Sequence, residues 1–466
     1  MNTSLYSRLP SLLQHAACSA YGLRERRHRF GSEFRRLLSA WIKSDFADRQ
    51  RIQQLQDAQI AHLVASAYEC SPHYRLMMDK AGLIPRDIQQ RADLAALPIL
   101  TKEEVRKYGA SLATRCAGMR QLRTAATSGS TGTPLTFPIS RQFTAAHWAI
   151  WWRHRYRFGI SPGERHVNFT GKPVVPMDQD TAPYWRYNLA MNQLVVGMQH
   201  ISEAKVPELA RAISRWKPVY WSGYPSIISS FCYVLEELGI EIESRPHAVF
   251  LGAEGADCKQ RSLISRVTGA LVTDQYGFSE GAGNASRCPQ GNYHEDWEFG
   301  ILEPEEEPAS SQFAPARPII GTGFWNSAFP FIRYKTGDLA VWADSDERCP
   351  CGRHSRVIRS IEGREEDYVV TPDAKRISRF DYLFKGATWL REAQVVQTSN
   401  RDVVVLAVVS RSPSEYEVEK VRASFRAYIS LDMNLTIRCV DEIPRTASGK
   451  FRAVVSLKRW QAEGAD

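Results

Sequence analysis

Thr127-Ser-Gly-Ser-Thr-Gly-Thr-Pro134 packs five Ser/Thr hydroxyls and two glycines into eight residues. Glycines let the backbone fold tightly around an anion, and successive N–H groups with hydroxyls form a cradle for a pyrophosphate. No Gly-Lys-Ser/Thr follows, so this is not a Walker loop. Read alone, the octapeptide is also an ordinary polar turn. Its meaning depends on four later motifs, in this order: Gln275-Tyr-Gly-Phe-Ser-Glu280, Tyr334-Lys-Thr-Gly-Asp338, Gly363-Arg-Glu-Glu-Asp367 and Ser448-Gly-Lys450.

The chain around these motifs is long enough for two or three domains, at 466 residues. Hydrophobic residues make up 43% and charged residues 24%, the balance of a soluble globular protein. No apolar run reaches the length of a membrane helix, and the longest, Val403 to Val409, suits a buried strand. The N-terminus combines Leu9-Pro-Ser-Leu-Leu with Arg24-Glu-Arg-Arg-His-Arg29 and shows no cleavable signal, which predicts a cytoplasmic protein. The net charge of +9 suits anionic substrates as well as nucleic acid or a membrane face and decides little. Nine cysteines predict free thiols, with a metal site, rather than a disulfide framework.

Residues 1–60 read as a helical extension rich in Arg, Leu and Gln. From about 120 to 340, short β-branched runs such as Ala248 to Leu251 and Leu271 to Thr273 alternate with helical windows such as Val206 to Trp216. This alternation predicts an α/β sheet with helical cover. After Gly363 the pattern changes to a hairpin over Tyr368 to Ile377, the strand at Val403, and an amphipathic helix from Glu415 to Tyr428. The predicted organisation is α/β: a large N-terminal domain over 1–362 with layered sheets and helices, a hinge at 363–367, and a small mobile α+β domain over 368–466.

The five motifs together resemble those of the adenylate-forming superfamily, which covers acyl- and aryl-CoA ligases, peptide-synthetase adenylation domains and luciferase. Within it the chain is most similar to the phenylacetate-CoA ligase branch and its CapK-like members. Leu135 stands after Pro134 where many superfamily members carry Lys, as is often so in this branch. The resemblance implies that Thr127, Ser128, Gly129, Ser130, Thr131 and Gly132 bind the ATP phosphates. Tyr276 would line the adenine pocket and Ser279 the phosphate region, Gly277 would belong to the same ATP site, and Glu280 would hold Mg²⁺, the hard cation a leaving pyrophosphate requires. Asp338 would grip the ribose hydroxyls, Glu254 would sit on the adenine-side loop, and Arg364 would reach ribose or phosphate. Glu366 falls at the hinge, and Lys450 would bridge the carboxylate and the α-phosphate, where negative charge builds during adenylation. Tyr224 reads either as a wall of the acyl pocket or as a core aromatic. For each of these the plainer reading is a turn, a charged loop or a surface lysine.

Gly277-Phe-Ser-Glu-Gly281 also fits the G-x-S-x-G elbow of α/β-hydrolases, with Ser279 as nucleophile and Asp338 and His354 downstream in the required order. No His-Gly-Gly-type oxyanion loop precedes it. Cys288, His294, Cys349 and Cys351 offer three thiolates and one imidazole, a set for a closed structural zinc site or four ordinary loop residues. Trp148 to Phe158 mixes aromatic and basic residues; it reads as a helix with aromatics toward the core or acyl pocket and Arg toward solvent, rather than as a nucleic-acid or membrane surface. His147 and His166 are further candidates for substrate contact.

The resemblance implies an ATP-dependent, AMP-forming acid ligase that makes an acyl-adenylate and passes the acyl group to coenzyme A. CapK-like relatives belong to surface-polysaccharide pathways, so an amine or a carrier-protein thiol is the alternative acceptor. A serine esterase using Ser279 and a non-catalytic binding protein are the readings from other classes. No nucleic-acid partner and no membrane-spanning segment are expected.

Overall fold

The computed structural model describes residues 6–116, 122–127, 135–176, 178–306, 316–364, 368–372, 376–377, 380–384, 387, 389–446, 449–457 and 460–461. Helices α1 (Ser11–Arg29), α2 (Ser32–Lys43) and α3 (Arg49–Cys70) come first, followed by α4 (Pro72–Lys80) and α5 (Lys102–Leu112). Asp48 accepts from the Arg51 N–H at 2.7 Å and starts α3, and a capping box between Thr101 and Glu104 starts α5. A short hairpin of β1 (Arg123–Ala126) and β2 (Thr136–Ile139) leads into α6 (Arg141–Tyr156).

A twelve-stranded sheet forms the body of the large domain. One half contains β3 (His166–Thr170), β4 (Trp185–Asn188), β5 (Gln193–Gly197), β6 (Tyr220–Gly223), β7 (Ala248–Leu251) and the start of β8 (Leu271–Gly277). It is parallel apart from the edge strand β4. The crossover helices α7 (Val206–Trp216), α8 (Pro225–Glu237) and α9 (Cys258–Thr268) supply its cover. β7 is buried along its whole length, as a central parallel strand must be. The other half is antiparallel: β9 (Asn284–Arg287), β10 (Tyr293–Glu295), β11 (Gly300–Pro304), β12 (Ala316–Gly323), β13 (Tyr334–Trp342) and β14 (Val357–Arg364).

β8 belongs to both halves. Leu271 to Asp274 pair with β7 in parallel, and Gln275 to Gly277 pair with β9 antiparallel. The Tyr276-to-Glu280 motif therefore leaves the sheet where its connectivity changes, the place where open α/β sheets form crevices.

The C-terminal part has its own core, in which Val369, Trp389, Val395, Val405, Phe425 and Val454 pack together. Its elements are the pair β15 (Val369–Val370) and β16 (Arg376–Ile377), strands β17 (Leu390–Gln397), β18 (Asp402–Val409), β19 (Asn434–Cys439) and β20 (Val454–Val455), and helix α10 (Glu415–Tyr428). The chain is a mixed α/β protein with large sheets, covering helices and a small C-terminal α+β unit.

Two expectations need correction. Arg153 and Arg155 of α6 do not face solvent; they are 1% and 8% exposed, and Tyr156 is the exposed residue. Arg153 donates to Glu298 at 2.6 Å and to Asp296 at 2.7 Å, and Arg157 pairs with Asp45, so carboxylates from distant segments draw the basic side chains inward. The cysteines are not all free either. Cys70 and Cys116 form a disulfide across a 46-residue separation, where the Arg115 N–H donates to the Cys70 carbonyl at 2.8 Å. The other seven are unpaired.

Candidate active site

A cleft of about 2700 Å³ opens between the large domain and the C-terminal unit. Its centre is a group of buried acids and tyrosines that four separate segments supply. The Tyr276 hydroxyl donates to Asp338 Oδ2 at 2.8 Å, and Arg364 Nε lies 3.1 Å from Asp338 Oδ1. Asp338 and Arg364 are also partners across the β13–β14 ladder. β13 bulges to present this carboxylate: pairing to β12 jumps from Ile320–Lys335 to Pro318–Leu339, and Gly337 between them takes φ +77°. Burial, and then the Asp338 charge, push the Tyr276 hydroxyl well above the usual tyrosine range, so it stays a proton donor.

Glu280 sits at the turn after β8 and accepts from the Tyr334 hydroxyl at 2.8 Å. Burial raises its carboxyl above the usual glutamate value. Tyr334 is 1% exposed and opens the motif that ends at Asp338, so one motif serves both acids. Sequence reading gave Tyr334 no role; its only signal was its place in that motif.

Glu254 follows β7 through Ala253, a non-glycine residue at φ +68°. Left-handed backbone at alanine is costly and turns the next side chain into the cleft. Glu254 accepts from the Ser226 N–H at 3.3 Å and from the Phe451 N–H at 2.6 Å. The second bond crosses to the C-terminal unit and anchors the residue next to Lys450.

Lys450 reaches the cleft through a tight loop. The Lys450 N–H donates to Thr446 Oγ1 at 3.0 Å, and the Thr446 N–H donates to the Lys450 carbonyl at 3.0 Å. Gly449, at φ +78°, lies against Gly171 so closely that a β-carbon on Gly171 would fall 2.9 Å from the Gly449 Cα. Burial first, and then the Arg364 charge, lower the Lys450 ammonium below the usual lysine value; Glu254, Asp338 and Glu280 pull it the other way.

Thr127 pairs with Leu135, the described residues on either side of the expected phosphate loop. Its Oγ1 accepts from the Leu135 N–H at 3.0 Å, and its own N–H donates to the Leu135 carbonyl at 2.9 Å. Ser128, Gly129, Ser130, Thr131, Gly132 and Glu366, the residue expected at the hinge, lie outside the described residues. Gly277 and Ser279 line the cleft. Tyr224 does not line it: half-buried at the head of α8, it packs against the core under the parallel sheet.

One end of the cleft is aromatic. Phe143, His147, Trp148 and Trp151 of α6 face it, and burial lowers the His147 imidazole to about 4, so it is neutral. Gly252 and Gly281 make room for this wall: a β-carbon on Gly281 would lie 2.2 Å from the Phe143 ring, and one on Gly252 would lie 3.3 Å from Trp151. These small-to-large pairings join residues more than 100 positions apart and leave no linear trace. His166 does not reach the cleft; it stacks on Tyr220 at 4.6 Å.

The hydrolase elbow is absent. It requires a strand, a sharp turn and then a helix. Here the turn after β8 leads into β9, an antiparallel strand, and His354 does not line the cleft beside Ser279 and Asp338.

Cys288, His294, Cys349 and Cys351 converge with their ligand atoms all within 4.8 Å of one another. The Cys288 and Cys349 sulfurs are 3.7 Å apart, and Cys351 Sγ is 3.2 Å from His294 Nε2. A tetrahedral zinc ion with bonds of about 2.0–2.3 Å needs ligand separations of this size, so the donor set fits that ion.

Comparison with known proteins agrees with this geometry. The family model of the CapK C-terminal domain matches residues 369–457. Protein CapK of Staphylococcus aureus is 24% identical over 370 residues, 78% of this chain and 80% of that protein. The phenylacetate-coenzyme A ligase of Thermus thermophilus is 23% identical over 445 residues, 88% of this chain and 98% of that enzyme. A crystal structure of 2-hydroxyisobutyryl-CoA ligase in the postadenylation state superposes with a TM-score of 0.68 at 17% identity, over 90% of this chain and 94% of that one.

The chain has the fold of adenylate-forming CoA ligases.

Its relatives in sequence are CapK and phenylacetate-CoA ligases. The same 2-hydroxyisobutyryl-CoA ligase in its thioesterification state superposes less well, with a TM-score of 0.55 at 19% identity over 90% and 93% of the two chains. Among the described residues, no helix is long and apolar enough to cross a membrane.

Proposed function

We propose that this protein is an ATP-dependent, AMP-forming carboxylic acid ligase that activates an acid, most simply an aryl acid, and transfers the acyl group to coenzyme A. The observation that carries this reading is the convergence of Lys450, Glu254, Asp338 and Glu280 in one cleft, with the Gly449–Gly171 contact seating the lysine loop. A carboxylate oxygen of the acid attacks the α-phosphorus of ATP, the bond to the β-phosphate oxygen breaks, and pyrophosphate leaves. The Lys450 ammonium stabilises negative charge on the carboxylate and the α-phosphate in that transition state. Asp338, oriented by Tyr276 and Arg364, accepts hydrogen bonds from the ribose hydroxyls. Glu280, steadied by Tyr334, is the residue that would hold Mg²⁺, which neutralises the leaving pyrophosphate. In the second step a thiolate attacks the acyl carbonyl and AMP departs.

The aromatic wall of Phe143, His147, Trp148 and Trp151 supports a flat, apolar acid, because the neutral His147 offers no charge to a second carboxylate. The relationship to CapK favours a second reading, in which the acceptor is an amine or a carrier-protein thiol. Away from the cleft, Cys288, His294, Cys349 and Cys351 would hold a structural zinc ion joining the end of β9 to the β13–β14 loop.

The test is pyrophosphate release from ATP and Mg²⁺ across aryl, fatty, amino and sugar acids, with hydroxylamine as acceptor. Release with one acid class is expected, and repetition with coenzyme A identifies the acceptor. Protein that binds ATP but releases no pyrophosphate with any acid would overturn the ligase reading.

A further inference from the structure

A second cavity, of about 650 Å³, lies on the far side of α6 from the cleft. Its walls are α1, α2, the outer face of α6 and the edge of the parallel sheet, and Trp148 divides it from the cleft by facing both. Alternation along β3 and β6 sends Val167, Phe169 and Trp221 into the apolar core on one side of the sheet. On the other side His166, Asn168, Tyr220 and Ser222 face the cavity. A sheet face covered by helices is ordinarily apolar; this one is polar, with His166 Nε2 3.1 Å from Gln193 Nε2 and Ser222 donating to Asn168 Oδ1 at 3.4 Å.

The charge around the cavity is one-sided. Arg26, Arg29, Arg35, Lys43 and Arg155 line it against a single carboxylate, Glu164. Among the described residues only Arg29 has an ion-pair partner, Glu25 at 3.0 Å. Arg26 and Arg35 donate to the backbone carbonyls of Ala190 and Phe30, each at 3.2 Å.

Arg155 is the deepest of the five, at 8% exposure. It donates to the Trp151 carbonyl at 3.0 Å, hydrogen-bonds the Tyr220 hydroxyl, and lies 5.2 Å from the Phe250 ring and 5.4 Å from the Trp152 ring. Among the described residues no carboxylate lies within ion-pair distance of it. Burying a guanidinium without a counter-charge is costly unless an anion completes the site. Glu164 has the opposite need, because its Oε2 is buried without a hydrogen-bond partner.

We propose that this cavity binds a small anion, a carboxylate or phosphate monoester that also carries a hydroxyl or ammonium donor. The acid group pairs with Arg155, the donor satisfies Glu164, and Arg26 and Arg35 draw the anion in from solvent. The indole faces of Trp148 and Trp152 take the body of the ligand.

The test is calorimetric titration of the full chain with benzoate, 4-hydroxybenzoate, inorganic phosphate and glucose 6-phosphate, with a non-hydrolysable ATP analogue filling the cleft. The donor-bearing member of the preferred pair should bind more tightly than the plain one, which also decides between carboxylate and phosphate. Arg155→Met should weaken binding about tenfold or more, and the double variant Arg26→Ser/Arg35→Ser about threefold to fivefold. Glu164→Gln should reduce the preference for the donor-bearing ligand. The exposed double variant keeps the test decisive if Arg155→Met does not fold, and it should bind the ATP analogue as the wild type does. Binding that neither variant weakens, or no binding of any of the four anions at about 10 mM, would overturn the site. A wild type that fails to bind the ATP analogue counts against the ligase reading instead, and the anion titrations are then judged unchanged.

Discussion

Gly171 and Gly449 meet backbone to backbone across the two parts of the chain; a β-carbon on Gly449 would lie 2.7 Å from the Gly171 Cα. Gly171 follows β3 and Gly449 stands beside Lys450, so this contact seats the lysine loop against the large domain. Gly171 carries no positive φ, which makes it the cleaner position for substitution. Gly171→Val should hold the lysine loop away from the cleft and slow pyrophosphate release by at least about tenfold, the effect of misplacing a catalytic group by an ångström or more. Thioester formation from supplied acyl-adenylate should be nearly unchanged. Equal loss in both half-reactions would show that the contact serves folding rather than closure.

Lys450→Ala should abolish pyrophosphate release and spare the second half-reaction. The wild-type pH profile follows from the direction of the Lys450 shift. The ammonium is present below its folded pKa and lost as pH rises through it, and burial places that pKa below the usual lysine value. Adenylation should therefore decline at high pH earlier than an exposed lysine would allow. Lys450→Arg, which does not titrate in this range, should lose that limb while keeping part of the activity. An unchanged limb in the arginine variant would assign it to another group.

The Tyr334–Glu280 hydrogen bond gives a separate handle. Tyr334→Phe leaves a buried carboxyl without its donor, a loss of about 1–3 kcal/mol in stability. It should also raise the KM for Mg-ATP more than it lowers kcat, because Glu280 is disoriented rather than removed. Thermal unfolding and Mg²⁺ titration check both parts, and an unaltered Mg²⁺ dependence would separate Glu280 from metal binding.

Arg153 neutralises a buried acidic group. Burial alone would raise Asp45 and Asp296, but Arg153 and Arg157 outweigh it and hold both below the usual aspartate range; Glu298 moves up through burial. The two aspartates favour the folded state above the unfolded pKa of about 3.9, and this contribution is lost as pH falls through their folded values. Glu298 works in the opposite sense. Arg153→Met strands these carboxylates and should destabilise the fold by about 3–5 kcal/mol. Denaturant unfolding at neutral pH measures this, and a change under about 1 kcal/mol would show that Arg157 and Arg353 suffice.

Metal analysis tests the cysteine cluster. Protein expressed with zinc in the medium should carry about one zinc per chain, and Cys349→Ser should lose it together with several degrees of Tm. Metal-free wild-type protein of undiminished stability would leave the four residues as packing.

The sequence by itself determined which chemistry-bearing residues the chain holds and most of its elements. Motif order exposed Glu280, Asp338, Arg364 and Lys450, because each lies in a short run of turn-forming residues whose local geometry is set by its neighbours. Hydrophobic period likewise placed β18 and α10, since an apolar run or an amphipathic repeat acts within a few residues; the structure adds the Ser414–Glu417 capping box that starts α10. Tertiary structure alone decided what depends on contacts between distant segments. Tyr334 becomes the partner of Glu280, Gly171 the seat of Gly449, and Gly281 the gap that Phe143 fills. The same holds for Arg153 and Arg155, which look like a solvated helix face but are buried because Asp45, Asp296 and Glu298 come from elsewhere to meet one of them, while the other faces a cavity. The reason is physical: hydrogen bonds in a turn are fixed by spacing along the chain, whereas burial, ion pairing and close approach of backbones are fixed by what the sheet and its helices bring together.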